Sequence, residues 1–201
     1  MNTSFFNHQT LSFLQQLSNN NNRPWFNERK SLYEQSVREP SLAFIEAMEP
    51  SIKSLSPNFT AVAKKTGGSL MRIYRDARFS SDKTPYKTNI GIQFRHTAGK
   101  DVHAPGFYLH ISPDTCFVGA GIWRPNSKAL SNIREMISDS PNAWKNITRH
   151  NTFKRYYTLS GDSLKTYPRG YAKDHPMIND LKRKDFIAIH PLTHEEILSP
   201  N

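Results

Sequence analysis

The sequence predicts an α+β protein: a single domain over residues 1–201, with an antiparallel sheet of about four to six strands and both N-terminal and later helices on its apolar face. Three observations carry this. Apolar residues recur at helical spacing through residues 5–56. A Gly67-Gly68 pair then switches the pattern to period two across residues 68–123. Residues 124–201 mix the two patterns.

The elements follow in order. Asn7 is a good N-cap, with Phe6 before it and Leu11 placed to close a hydrophobic staple, and Leu11, Phe13, Leu14 and Leu17 make one helical face. Asn19-Asn20-Asn21-Asn22 is a polar break. Pro24 opens a second helix with Trp25, Phe26, Arg29, Leu32, Tyr33 and Val37 down one side, and Pro40 is expected to end or kink it. A third helix carries Leu42, Ile45, Met48, Ile52 and Leu55.

Four alternating runs come next, at 70–75, 89–94, 107–112 and 116–123, and their short connections predict an antiparallel meander. One face collects Met71, Ile73, Ile90, Ile92, Phe94, Leu109, Ile111, Val118 and Ile122. The other collects Arg72, Tyr74, Asn89, Gly91, Gln93, Tyr108, His110, Gly119 and Gly121. Beyond them, Asn126 or Ser127 caps a helix bearing Leu130, Ile133, Met136 and Ile137. Ser140-Pro141 starts a shorter helix, 153–159 reads as a strand, His175-Pro176 begins another short helix and 186–189 reads as a last strand. Thr193-His194-Glu195-Glu196 is a capping box.

Composition narrows the class. With 36% apolar and 11% aromatic residues the chain is globular rather than disordered. One cysteine, Cys116, excludes an internal disulfide framework and fits a reducing compartment. The start Met1-Asn2-Thr3-Ser4-Phe5-Phe6 lacks the basic and apolar regions of a signal peptide, and no apolar run has the ~18 residues of a spanning helix. These features predict a cytoplasmic protein with no membrane association. CxxC, HExxH and GxxxxGK[ST] are all absent, so no metal site is predicted and no particular cofactor is implied.

Charge points to the place of work. The formal net charge is +10. Residues 1–63 hold five Lys/Arg and five Glu, whereas 64–100 hold nine Lys/Arg and two Asp, and 145–184 hold ten Lys/Arg and three Asp. The densest stretch is residues 72–89, where Arg72, Arg75, Arg78, Lys83 and Lys87 stand among hydroxyl residues with only Asp76 and Asp82 as acids. Fixed cationic donors of this kind suit phosphate or carboxylate. Combined with the strand faces, they predict a glycine-floored trough for a small anionic ligand, lined by Arg72, Arg75, Arg78, Lys83, Tyr86, Lys87, His110 and Arg124. Arg72, in mid-strand, is expected to be partly buried. Strict alternation turns Arg75 away from Arg72 and makes it the weakest member of the set. His110 and Asp76 are the acid–base candidates, although no pattern specifies a reaction and catalysis stays open. Two readings compete. Basic segments interleaved with aromatics, notably Phe153-Lys154-Arg155-Tyr156-Tyr157, suit nucleic acid. Scattered cations would instead make a non-catalytic interaction module kept soluble by its charge.

Several motifs also carry a likeness. Leu70-Met71-Arg72-Ile73-Tyr74-Arg75-Asp76-Ala77-Arg78-Phe79-Ser80-Ser81-Asp82-Lys83-Thr84-Pro85-Tyr86-Lys87-Thr88, with Pro105-Gly106-Phe107-Tyr108-Leu109-His110-Ile111 and Gly119-Ala120-Gly121-Ile122-Trp123-Arg124-Pro125, resembles the family called domain of unknown function 2461. Asn21-Asn22-Arg23-Pro24-Trp25-Phe26, Pro168-Arg169-Gly170-Tyr171 and Asp174-His175-Pro176 fit as well. The resemblance implies one domain over nearly the whole chain. It supplies no activity, cofactor or catalytic residue. Family members usually carry a further C-terminal helix, so the helix begun by the Thr193 capping box is expected to be truncated.

Overall fold

The computed structural model describes residues 4–99 and 103–200; Met1-Asn2-Thr3, where the signal-peptide reading begins, lies outside them. Helix α1 (His8–Asn19) starts at Asn7, whose side chain accepts from the Gln9 and Thr10 N–H groups while Thr10 reaches back to the Asn7 N–H. Asn22 caps α2 (Arg23–Glu28) by accepting from the Trp25 N–H, with Pro24 in the first turn where no N–H is needed.

Pro40 does not end the helix. After α3 (Lys30–Tyr33) the backbone widens into a π-helical turn over Glu34–Arg38 and runs on as α4 (Glu39–Leu55). A proline ring clashes with the carbonyl four residues back and offers no N–H, and a wider turn just upstream relieves both problems. Pro50 also lies inside α4 without terminating it.

Among the described residues there are six strands, β1 (Phe59–Thr60), β2 (Ile90–His96), β3 (Gly106–Ile111), β4 (Cys116–Ile122), β5 (Thr158–Ser160) and β6 (Phe186–Leu192). They form an antiparallel sheet in the order β1-β2-β3-β4-β6-β5. Helices α5 (Ser127–Asp139), α6 (Pro141–Thr148), α7 (Asn151–Tyr156) and α8 (Ile178–Leu181) lie between β4 and β6, and α9 (His194–Leu198) follows the Thr193–Glu196 capping box.

Two of the strand expectations need correction. Residues 70–75 form no strand, and the chain bends at Ile73. Their pairing is reduced to isolated bridges, Leu70 with Ile92 and Tyr74 with Tyr86. The segment changes partner midway, from β2 to residues 85–87, so neither ladder lengthens. Residues 153–159 are not a strand throughout. His150 Nδ1 accepts from the Thr152 N–H and caps α7, and extended structure begins only at Thr158.

Two compact units are distinguished. The first comprises Met1–Thr97, Phe107–Val118 and Pro191–Asn201. Its core joins α1, α2 and α4 to the apolar face of the strands through Phe13, Leu14, Leu17, Phe26, Ile45, Ile92 and Ile111, all almost fully buried. Ile73, Ile90, Phe94 and Leu109 join them as the predicted apolar face requires, but Met71 does not: its Sδ lies beside Gly91 with the Tyr108 hydroxyl, on the face predicted to be polar. The second unit comprises Ala98–Gly106 and Gly119–His190 and has its own cluster of Ile137, Met177, Leu181 and Phe186, with Ile122, Leu130, Ile133 and Trp144 against it. Among the described residues no helix is long and apolar enough to cross a membrane.

Candidate functional site

In the first unit the chain from Ile73 to Asn89 folds back on itself and builds a cleft. The Arg75 N–H donates to Pro85 O at 2.9 Å and the Lys87 N–H to Ile73 O at 2.7 Å, which closes a tight ladder around the Tyr74–Tyr86 pair. In this pairing the Tyr86 N–H and C=O face away from Tyr74. Asn21 takes both: its Nδ2 donates to Tyr86 O at 3.0 Å and its Oδ1 accepts from the Tyr86 N–H at 3.1 Å. One side-chain amide thus stands in for a neighbouring strand. The Tyr86 ring stacks on Phe26 with centroids 4.1 Å apart, which ties the segment to the core.

The cleft has a volume of about 300 Å³ and is lined by Ser18, Asn21, Arg75, Asp82, Thr84, Tyr86, Lys87, Thr88 and Asn89. Arg75 is held in place by donating to Asp82 and to Thr84 Oγ1, and Asp82 also accepts from the Thr84 N–H at 2.9 Å. The Arg75 hydrogen bond holds the Asp82 carboxyl down at about 2, so it is ionised across the ordinary pH range.

Lys87 is different. It is half-buried, and among the described residues no carboxylate lies within ion-pair distance of its ammonium. Burial, and then the charge of Arg72, push its pKa below the ordinary lysine value.

The other predicted residues separate. Arg72 is exposed rather than partly buried and does not line this cleft; it acts on Lys87 through its field. Arg78 is tied to Asp76 by two hydrogen bonds of 2.9 and 2.7 Å, both side chains being largely exposed. This pairing lowers the Asp76 carboxyl to about 2, which makes it a poor base near neutrality. Lys83 donates to the carbonyls of Ala77 and Arg78, at 3.0 and 3.5 Å.

His110 stacks flat on Phe117, with centroids 4.8 Å apart, and its Nδ1 lies 3.2 Å from the Tyr108 hydroxyl and 3.5 Å from Asn89 Nδ2. With the Asn89 amide nitrogen turned toward it as donor, Nδ1 is placed to accept, an arrangement that suits the neutral tautomer with its proton on Nε2. Burial lowers the His110 pKa and favours that neutral form. His110 does not line the cleft and is linked to it through Asn89.

Arg124 belongs to the second unit. Its φ of 47° is the only positive value of a non-glycine residue among those described, its N–H donates to Asp185 Oδ1 at 2.7 Å, and its guanidinium lies 4.7 Å over the Trp123 ring.

The glycines do not floor this cleft. A Cβ on Gly91 would come within 2.8 Å of the Tyr108 hydroxyl and 3.1 Å of Met71 Sδ, so this glycine admits Tyr108 rather than a ligand. Gly121, at φ +140°, has Phe186 O 1.9 Å from the place of a Cβ, and Gly119 has Ile187 Cγ2 at 3.5 Å.

Sequence reasoning set Asn89 on the polar strand face but missed Ser18, Asn21, Asp82, Thr84 and Thr88 as lining residues. One sign was available: the Asn run between helices. Asn20 Nδ2 donates to Gln16 O, Asn22 caps α2, and Asn21, which neither helix needs, is the one that reaches Tyr86. Among the described residues no group of three His, Cys, Asp or Glu side chains could hold a metal ion.

The fold and cleft define a class: an α+β protein with a polar cleft whose half-buried lysine has no carboxylate partner among the described residues. The chain belongs to the family described as conserved hypothetical protein (DUF2461), whose model matches residues 9–201. Comparison with curated proteins and with solved structures gives no match.

Proposed function

We propose that the cleft binds a small phosphorylated or carboxylated ligand. One observation carries this reading: Lys87 is partly withdrawn from water and has no carboxylate partner among the described residues, while the neighbouring Arg75 is already matched by Asp82. An anion in the cleft would supply the missing countercharge. Asn21, Thr84, Thr88 and Asn89 would hydrogen-bond its oxygens, and Arg72 would add attraction from outside. A cytoplasmic location belongs to this reading, supported by the single free and buried Cys116.

The test is a thermal-shift screen of inorganic phosphate, citrate, sugar phosphates and nucleotides against chloride at matched ionic strength. A ligand at about 100 times its Kd should stabilise the protein by about 2.7 kcal/mol. Replacing Lys87 with Ala should abolish that gain. If no anion outperforms chloride, or if Lys87→Ala responds like the parent, the reading fails.

A second reading rests on α7. Tyr156 and Tyr157 are exposed beside Lys154, and the Arg155 guanidinium lies 5.2 Å over the Tyr156 ring. Such a surface could stack bases of a single strand while its cations meet phosphates. Anisotropy titrations with labelled oligonucleotides at several salt concentrations test it: binding should weaken steeply with salt, and its absence at low salt removes the idea.

A further inference from the structure

We infer that Lys87 is a nucleophilic lysine that forms a reversible imine with a carbonyl-bearing anion, an aldehyde or ketone carrying phosphate or carboxylate. The inference rests on the anion-binding reading of the same cleft and names its substrate class.

Lysine becomes a nucleophile near neutral pH when its ammonium is desolvated or placed beside another cation, and when nothing acidic restores the charge. Lys87 meets these conditions together. It is half-buried, Arg72 repels its proton, and Asp82, the acid lining the same cleft, is engaged by Arg75. The other lysine of this segment differs: Lys83 is exposed and bonded to two carbonyls. The remaining lining of Ser18, Asn21, Thr84, Tyr86, Thr88 and Asn89 is neutral and hydrogen-bonding, which suits an oxygen-rich ligand and provides no competing nucleophile of comparable strength.

The chemistry balances without a co-reactant. The Nζ lone pair of the neutral amine attacks the carbonyl carbon; the nitrogen gives up one proton and the carbonyl oxygen takes one up, giving a neutral carbinolamine. Solvent then protonates the hydroxyl, which departs as water as the nitrogen lone pair forms the C=N bond, and the nitrogen releases its remaining proton to solvent. Hydrolysis reverses the sequence.

The experiment is limited reductive labelling of the whole protein. Pyridoxal 5′-phosphate, a phosphorylated aldehyde, is added below stoichiometry at pH 6.5–8 and trapped with borohydride, which adds hydride to the imine carbon. Peptide mass spectrometry then gives the labelled fraction of each lysine. Lys87 is expected to label several-fold faster than exposed lysines such as Lys53 and Lys154, with the advantage greatest at the low end of the range. Inorganic phosphate should protect Lys87 and not the others. In Arg72→Gln the Lys87 profile should move to higher pH.

Labelling of Lys87 no faster than of Lys53 and Lys154 overturns the imine inference, and phosphate protection in that case still supports the anion site. Selective labelling that phosphate fails to reduce supports the nucleophile but overturns the anion reading on which the substrate class rests. An unmoved profile in Arg72→Gln overturns the role given to Arg72.

Discussion

Removing the Asn21 amide should weaken the protein as a whole and the cleft in particular. The side chain makes two hydrogen bonds, at 3.0 and 3.1 Å, to the carbonyl and N–H of one residue, Tyr86, which is almost fully buried. Each bond contributes about 1 kcal/mol net, and a buried backbone group left unpaired costs about 1–3 kcal/mol. The cleft is open enough for water to replace part of the loss, so the lower end applies: Asn21→Ala should cost about 2 kcal/mol. For a chain of this length that corresponds to a fall in Tm of about 4–8 °C. Urea titration followed by circular dichroism measures the first quantity and a thermal scan the second. Asn21→Asp is the informative companion, since it keeps the acceptor for the Tyr86 N–H but sets a carboxylate against the Tyr86 carbonyl; it should also be destabilising. A change below about 0.5 kcal/mol in Asn21→Ala, the size of an ordinary surface substitution, would refute the view that this amide acts as a strand partner.

Three further outcomes are expected. Asp185→Ala should cost about 2–4 kcal/mol, because a fully buried carboxylate there accepts the N–H groups of Arg124 and Asp162 at 2.7 and 2.8 Å and both would be orphaned; urea unfolding measures it. Gly91→Ala should cost about 1 kcal/mol by crowding the Tyr108 hydroxyl, and part of that should return in a Tyr108→Phe background, a coupling that a double-mutant cycle reads. On acidification the segment 75–84 should loosen first. Asp76 and Asp82 titrate at about 2 in the folded chain, below the ordinary value of 3.8, so their contribution is present above 3.8 and is lost as pH falls through about 2. Hydrogen exchange of the Arg78 and Thr84 amides, which donate to these carboxylates, should rise relative to the core over that window, and unchanged protection would contradict the pairing.

The fold was legible where a single period governed a segment. The helical spacing of Phe13, Leu14 and Leu17 and the alternation of Ile90, Ile92 and Phe94 each named residues that are buried together. Legibility failed where a local pattern met a longer-range demand. The alternation read at 70–75 does not survive folding: Leu70 and Ile73, three apart, are the buried residues, and the segment divides its pairing between β2 and residues 85–87 and so forms no strand. Pro40 signals a helix end, but a π turn absorbs it, and sequence gives no notice of that remedy. For the cleft, cationic composition drew attention to Arg75 and Lys87, whereas Asn21 comes from some 65 residues away and is joined to Tyr86 only by the fold.

The cleft shows why a count of cations overstates a binding charge. The segment that bears Arg72, Arg75, Arg78, Lys83 and Lys87 spends most of them on itself. Arg75 is balanced by Asp82, Arg78 by Asp76, and Lys83 closes its loop on two carbonyls. These pairs give the segment its shape, because a loop with so little apolar surface to bury needs polar bonds to hold one conformation. Two charges are left over. Arg72 stands in solvent, where screening weakens its contacts, and Lys87 stands in the cleft, where burial makes an unmatched charge costly. The number that matters for a ligand is therefore the charge left unmatched in a place water only half reaches. By that measure the strongly basic segment contributes one principal group, and variants of Arg78 or Lys83 should alter loop order far more than anion affinity.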